Sequence, residues 1–150
     1  MTARELRRER YREWLLAQQL RFGFANELAN LANRVNKGVT NDTPPVDVWH
    51  AILPTVRLVE QVRQRFGTTV LHSAYRSTLY NATHVLSGAV KDSRHTHNDA
   101  LDFACGSASP REWADFLRDL RDGGAFKGGI GVYRTFAHVD TRGTNADWTG

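Results

Sequence analysis

The feature that most constrains the fold is the stretch of residues 93–103, where a polar run leads directly into an apolar segment. The polar run carries two imidazoles, and the apolar segment Ala100-Leu101-Asp102-Phe103-Ala104 carries one carboxylate. A strand over this segment buries Asp102, and an unpaired buried charge is costly. The carboxylate therefore needs a cationic partner, either a metal ion or an arginine.

A second polar group lies downstream, in the segment Phe136-Ala137-His138-Val139-Asp140. His95, Asp102 and His138 together offer two imidazoles and one carboxylate. This ligand set suits a zinc ion whose fourth position is open to water. Six histidines in 150 residues make such a trio easy to find by chance. On residue types alone, ordinary surface or core histidines remain a more common explanation than a metal site.

Four sequence blocks around these residues follow one family pattern. Residues 73–77 read Ser-Ala-Tyr-Arg-Ser, residues 93–103 contain Ser-x-His-x-x-x-x-Ala-x-Asp-Phe, residues 128–133 are glycine-rich, and residues 136–140 contain His-x-Asp. In this order they resemble the zinc D-alanyl-D-alanine carboxypeptidase family of peptidoglycan peptidases, which includes the vancomycin-resistance dipeptidases and many phage endolysins. The resemblance covers about residues 22–148.

The resemblance implies that His95, Asp102 and His138 are the three zinc ligands. Arg76 stands where the family has an arginine that holds the substrate carboxylate or stabilises the tetrahedral oxyanion. A guanidinium suits either task through its fixed charge and bidentate geometry. The alternative is a structural ion pair between Arg76 and one of two nearby aspartates, Asp92 and Asp99.

The chain departs from the family pattern at two places. Asn98 stands where the family has glycine, and asparagine is the side chain that best tolerates a positive φ. The family's general base is also missing, because Thr135 and Phe136 occupy the positions where relatives carry a carboxylate or a histidine. Asp140 is the replacement candidate, or else it orients a ligand imidazole. Two further candidates for the base are His97 and Asp99.

Helical and strand patterns alternate along the chain, which predicts an α+β fold. We expect a small, mostly antiparallel sheet with packed helices, which the resemblance implies to be hedgehog/DD-peptidase-like, plus an extra N-terminal helix. Apolar periodicity and turn residues predict the following elements. The helices are 3–20, 48–66 with a break at Pro54, 77–87, and the segment between Ser109 and Gly123, and the strands are 68–73, 100–104, 129–133 and 136–141.

The N-terminal segment differs from the rest in charge. Residues 1–21 contain six Arg and three Glu, which is +3 of the formal charge of +4. We therefore divide the chain into a basic helix, 1–21, and a zinc DD-peptidase-like domain, 22–150, and expect the helix to be dispensable for catalysis. It either binds an anionic wall polymer or is a solvated helix face. Nucleic acid is not expected, because basic and aromatic residues do not interleave.

The cysteine count and the apolar runs limit where the protein is expected to act. One cysteine excludes an internal disulfide, and no apolar run reaches the length of a membrane span. The basic N-terminus lacks an apolar core, so we do not expect it to be a signal peptide. We expect a protein that is cytoplasmic as synthesised and acts on the cell wall after release or as a virion component. The expected activity is zinc-dependent hydrolysis of peptidoglycan stem peptides next to D-amino acids. The alternative is an inactive zinc-binding module that docks on the wall or forms part of a virion.

Overall fold

Helices form where sequence periodicity and capping residues favour them. The computed structural model describes residues 1–85, 90 and 92–150. Thr2 and Glu5 form a capping box at the start of the first helix, and Ser109 and Glu112 form another at the start of the last. The helices are α1 Ala3–Ala17, α2 Phe24–Leu31, α3 Ile52–Phe66, α4 Thr78–Val85 and α5 Pro110–Asp122, with 3-10 helices at Val46–Ala51 and Arg94–His97.

The described strands form a two-stranded hairpin and a five-stranded sheet. They are β1 Val35–Asn36, β2 Val39–Thr40, β3 Thr69–Ser73, β4 Ala100–Cys105, β5 Gly129–Val132, β6 Ala137–Asp140 and β7 Ala146–Thr149. The sheet has the order β3-β4-β6-β5-β7, and every neighbouring pair is antiparallel except β5 and β7. The predicted α+β class with a mostly antiparallel sheet is therefore confirmed.

Strand alternation gives the sheet two different faces. Leu101 and Phe103 of β4 and Val139 of β6 are fully buried and belong to the core that α3 and α5 cover. Successive side chains of a strand point to opposite faces. Asp102 and His138 therefore lie on the other face, away from these two helices. The fold thus separates the apolar core from a polar face.

Several elements differ from their predicted bounds. The helix predicted over 48–66 is divided at Ile52, as the break at Pro54 leads one to expect. Residues 36–40, for which no element was predicted, contain the end of β1 and all of β2. Helix α2 and strand β7 were not predicted. The predicted helix 77–87 is observed as Thr78–Val85, and its last two positions lie outside the described residues.

The N-terminal helix is part of the core. Tyr11 and Leu15 of α1 are 2% and 0% exposed and join the main apolar cluster. The Tyr11 ring lies 5.4 Å from the Trp49 ring and 6.3 Å from the Trp14 ring, between centroids. The division at residue 22 stays a prediction, but these contacts remove the basis for expecting the helix to be dispensable.

Within the part of the chain that the structure describes, every helix is too short or too polar to cross a membrane.

Candidate metal centre

Two antiparallel strands and a short turn bring three polar side chains together. The pairing of β4 with β6 sets Asp102 directly opposite His138. His95 lies in the 3-10 helix immediately before β4, where the Ser93 hydroxyl caps the turn by accepting a hydrogen bond from the His95 amide at 3.2 Å. The predicted trio is therefore assembled from residues that are distant in sequence.

The potential ligand atoms of His95, Asp102 and His138 all lie within 4.8 Å of one another. His95 Nε2 is 3.2 Å from Asp102 Oδ2, and His138 Nδ1 is 2.9 Å from Asp102 Oδ1. Donor atoms bound tetrahedrally to one zinc ion lie about 3.4 Å apart, given bonds of ~2.0–2.2 Å. The trio is 3–7% exposed, so its polar atoms are largely removed from bulk water and need partners. The spacing and the chemistry of these donors fit zinc.

The outer ring nitrogens define which tautomers the histidines adopt. His95 Nδ1 lies 2.7 Å from the Ala74 carbonyl oxygen, an atom that only accepts, so Nδ1 carries the proton. His138 Nε2 donates to Asp140 Oδ2 at 2.8 Å. In the neutral imidazoles, the lone pairs of His95 Nε2 and His138 Nδ1 then both face Asp102. Without a metal, a proton on either nitrogen bonds to Asp102, and a metal that binds these nitrogens takes the place of that proton.

Electrostatics keep the central carboxylate ionised. Burial raises the pKa of Asp102, but His95 and His138 outweigh burial and hold that pKa well below its usual range. For His138, burial lowers the pKa, while hydrogen bonds and charge interactions with Asp102 and Asp140 raise it above the ordinary value. An ionised carboxylate is the form that binds a metal.

Asp140 makes contacts that suit an orienting role. Its side chain is fully buried, and Oδ1 accepts hydrogen bonds from the Gly129 amide at 2.9 Å and from Arg142 Nε at 2.8 Å. Oδ2 accepts from His138 Nε2 and, at 2.7 Å, from Arg142 Nη2. Because both oxygens are occupied, the geometry favours the alternative in which Asp140 orients His138. Its role as general base stays a prediction.

Arg76 lies beside the trio. Its amide donates to the His95 carbonyl oxygen at 3.0 Å, and its Nε donates to Ser73 Oγ at 3.0 Å. Nη1 donates to Asn81 Oδ1 at 3.3 Å, and Nη2 is 3.7 Å from Asp102 Oδ2. These contacts aim the guanidinium at the metal centre.

The other predicted partners lie elsewhere. Asp99 forms an ion pair with Arg94, and Asp92 contacts the exposed His97 at 3.1 Å. The alternative pairing of Arg76 with Asp92 or Asp99 is therefore wrong. Neither His97 nor Asp99 belongs to the lining of the cavity described next, so the structure does not bring these two candidate bases into the site.

A cavity of about 720 Å³ opens above the trio. This volume lies within the usual range for small-ligand sites, ~300–1,000 Å³. The described residues around the trio include three arginines and three aromatic side chains, and the Arg142 guanidinium lies over the Trp148 ring, 5.4 Å from its centroid. The arginines are Arg76, Arg94 and Arg142, and the aromatic side chains are Tyr133, Phe136 and Trp148.

Three residues of the cavity lining were not predicted as site residues: Arg142, Tyr133 and Trp148. A signal for Arg142 exists, since it follows Asp140 by two positions, but that spacing is common. The signal for Trp148 is weaker, because its place depends on β7 pairing in parallel with β5. Only the folded chain shows that these side chains meet.

Comparison with known proteins identifies the family. The family model described as Peptidase M15 matches residues 23–140, which is more than half of the chain. Neither a search of curated proteins nor a search of solved structures gave a significant match. The matched segment includes all three proposed ligands and Arg76. The chain belongs to the peptidase M15 family, and this membership supports a zinc peptidase that acts on peptidoglycan in general.

Proposed function

We propose that this protein is a zinc-dependent peptidase that hydrolyses peptidoglycan peptide bonds next to D-amino acids, in cell-wall lysis or remodelling. The observation that carries the proposal is that the potential ligand atoms of His95, Asp102 and His138 lie within 4.8 Å of one another in the lining of a cavity. Family membership supplies the substrate class.

His95, Asp102 and His138 are the residues that would hold the metal. Bound zinc supplies a Lewis acid and a water of lowered pKa, ~7. The chain contributes orientation, because the Ala74 carbonyl fixes His95 and the Asp140 carboxylate fixes His138. It also excludes solvent from the ligand atoms, since all three ligands are buried.

Arg76 would bind the substrate. Among the three arginines of the described lining, Arg94 and Arg142 are each paired at close range with an aspartate. Arg76 donates to neutral oxygens, and its nearest carboxylate, Asp102 at 3.7 Å, belongs to the proposed metal site. Its charge is therefore directed to a ligand, either the substrate carboxylate or the oxyanion that develops during hydrolysis.

One observation favours the alternative of an inactive zinc-binding wall or virion module. Asp102 is the sole carboxylate among the described residues of the lining, so a free carboxylate base is missing there. The described lining does contain an imidazole outside the trio, His84, whose Nδ1 lies 3.0 Å from the Tyr80 carbonyl oxygen. His84 is therefore a further candidate for the proton acceptor of an active enzyme.

The activity is tested on purified peptidoglycan and on soluble muropeptides, with and without a chelator. Mass spectrometry of the released peptides identifies the bond that is cut. The proposal expects chelator-sensitive release by the wild type and none by His138→Ala. Tight wall binding without release would support the inactive zinc-binding module instead. Release that a chelator does not reduce would show that the activity does not depend on a metal.

The role of Arg76 is tested by Arg76→Ala. We expect zinc content and the melting temperature to stay unchanged and turnover to fall ~10²–10³-fold, the usual effect of removing an oxyanion donor. Arg94→Ala is the matched control, because it removes a guanidinium of the same cavity that is already paired. Full activity of Arg76→Ala would assign Arg76 a structural role.

The N-terminal helix offers less free charge than its sequence indicates. Arg7 pairs with Asp42, and Arg4 donates to the Thr40 and Asn41 carbonyl oxygens. Binding of an anionic wall polymer by α1 stays a proposal. It is tested by measuring the salt dependence of wall binding for a variant with glutamine at Arg8 and Arg10.

A further inference from the structure

Trp148 is one of three aromatic side chains in the described lining of the cavity, and strand β5 makes room for its indole. In the pairing of β5 with β7, Trp148 lies opposite Gly131. A Cβ atom at Gly131 would lie 2.5 Å from the indole Nε1, and one at Gly129 would lie 2.8 Å from the indole ring. Real Cβ atoms do not come this close to other atoms. The two glycines of β5 therefore leave the space that the indole fills.

The indole connects the metal trio to Tyr133. On one side, the Trp148 ring lies 4.9 Å from the His138 ring, between centroids. On the other side, Trp148 Nε1 donates to Tyr133 Oη at 2.8 Å. The indole thus contacts both a proposed metal ligand and the phenol oxygen.

Tyr133 is fixed on its other sides as well. Its ring stacks on Phe136 with centroids 4.3 Å apart and planes 6° apart, and Gly150 packs so closely on the ring that a Cβ atom there would clash. The Tyr133 oxygen accepts the indole proton, and no described residue accepts the proton of the hydroxyl itself. Because Tyr133 lines the cavity, that proton is available to a ligand.

We propose that the Tyr133 hydroxyl is a catalytic hydrogen-bond donor to the substrate carbonyl oxygen, and that Trp148 is the residue that positions it. This inference rests on the proposed peptidase function. Tyr133 and Arg76 both line the cavity. Together they form two donors to the oxygen that becomes negative as the peptide bond is attacked. A donor held in place before the reaction costs no reorganisation during it.

A purely structural role for the Trp148–Tyr133 bond makes a different prediction. In that case the bond fastens β7 to the loop after β5, and its loss lowers stability without a specific effect on the substrate. A hydrogen-bond donor to the oxyanion instead changes binding of the transition state and leaves the ground state nearly unaffected.

The test is Tyr133→Phe in the full zinc-loaded chain, with Tyr75→Phe as the matched control, since Tyr75 loses the same hydroxyl outside the cavity lining. For Tyr133→Phe we expect kcat to fall ~10²-fold or more with KM changed less than ~3-fold. A phosphinate dipeptide analogue, measured by calorimetry, should bind ~10²-fold more weakly. Zinc content and melting temperature should match those of the wild type.

Trp148→Phe is the second variant, because it removes the positioning N–H and leaves the Tyr133 hydroxyl. We expect a loss of turnover and of analogue binding that is smaller than that of Tyr133→Phe and largely absent when Tyr133 is already Phe. Wild-type turnover and analogue affinity in Tyr133→Phe would overturn the proposal, as would additive losses in the double variant.

The two proposals fail in different ways. A wild type that binds the analogue but releases no peptide rejects the peptidase activity, while weaker binding by Tyr133→Phe still supports the donor. If the wild type hydrolyses peptidoglycan and Tyr133→Phe is fully active, only the proposed role of the Tyr133 hydroxyl as a donor is rejected. A wild type that neither binds nor hydrolyses overturns both.

Discussion

The two histidines of the metal centre are held in different ways. His95 lies on a 3-10 turn, and its outer nitrogen bonds to the backbone carbonyl of Ala74. His138 lies in a central strand, and its outer nitrogen bonds to the carboxylate of Asp140, which the guanidinium of Arg142 holds with two hydrogen bonds. One imidazole thus relies on the backbone, and the other relies on a chain of side chains.

Because their partners differ, zinc binding by the two histidines is weakened by different substitutions. A carbonyl partner is neutral and cannot be removed by substitution, so His95 is perturbed through the turn that carries it. That turn ends at Asn98, which adopts φ 60° and donates to the Val48 carbonyl oxygen at 2.8 Å. An anionic partner makes an imidazole more basic and can be removed by a single substitution.

The largest expected effect is the loss of a ligand. His95→Ala and His138→Ala should both reduce zinc affinity by more than the ~10–100-fold that outer partners contribute. Competition with a fluorescent zinc chelator measures the affinities. If either variant keeps wild-type affinity, that histidine is not a ligand and the comparison between the two loses its basis.

Asp140→Asn should produce the next largest effect, on the His138 side alone. The amide has nearly the shape of the carboxylate but removes the charge, so zinc affinity should fall ~10–100-fold. Saturating zinc should then restore most of the turnover. If zinc affinity is unchanged and turnover falls ~10²–10⁴-fold, Asp140 is the general base instead.

Arg142→Gln should have a smaller effect than Asp140→Asn, because it acts on His138 through Asp140. We expect a zinc affinity less than ~10-fold below that of the wild type, since the partner of His138 stays in place. Arg12→Gln, which removes an exposed ion pair of α1, is the control. An effect as large as that of Asp140→Asn would show that the arginine, and not the carboxylate, sets the orientation of His138.

The smallest effect is expected on the His95 side. Asn98→Gly keeps the positive φ accessible but removes the bond to the Val48 carbonyl, so zinc affinity should fall only a few-fold, by about the net worth of one hydrogen bond, ~1 kcal/mol. Affinity is measured as for the other variants, together with the melting temperature. A loss as large as that of Asp140→Asn would mean that both histidines depend equally on side-chain support.

The sequence predicted the parts of the molecule that depend on local pattern. Helix α5 follows from the Ser109 cap and its apolar stripe, and the strands around Asp102 and His138 follow from short apolar segments. The trio itself was proposed from family blocks, and the structure places its three members together.

The sequence did not predict features that depend on distant pairing. The parallel pairing of β7 with β5 places Trp148 over glycines that precede it by 17 residues or more. The position of α1 in the core depends on a contact between Tyr11 and Trp49 that its basic composition obscures. In both cases the sequence shows only a local feature, basic residues in α1 or glycines in β5. The tryptophan that packs there lies far along the chain.

The zinc site of His95, Asp102 and His138 is tested by elemental analysis of protein purified without added metal. We expect about one zinc ion per chain, as for other three-ligand catalytic sites. A stoichiometry near zero that added zinc does not restore would show that these residues do not form a zinc site.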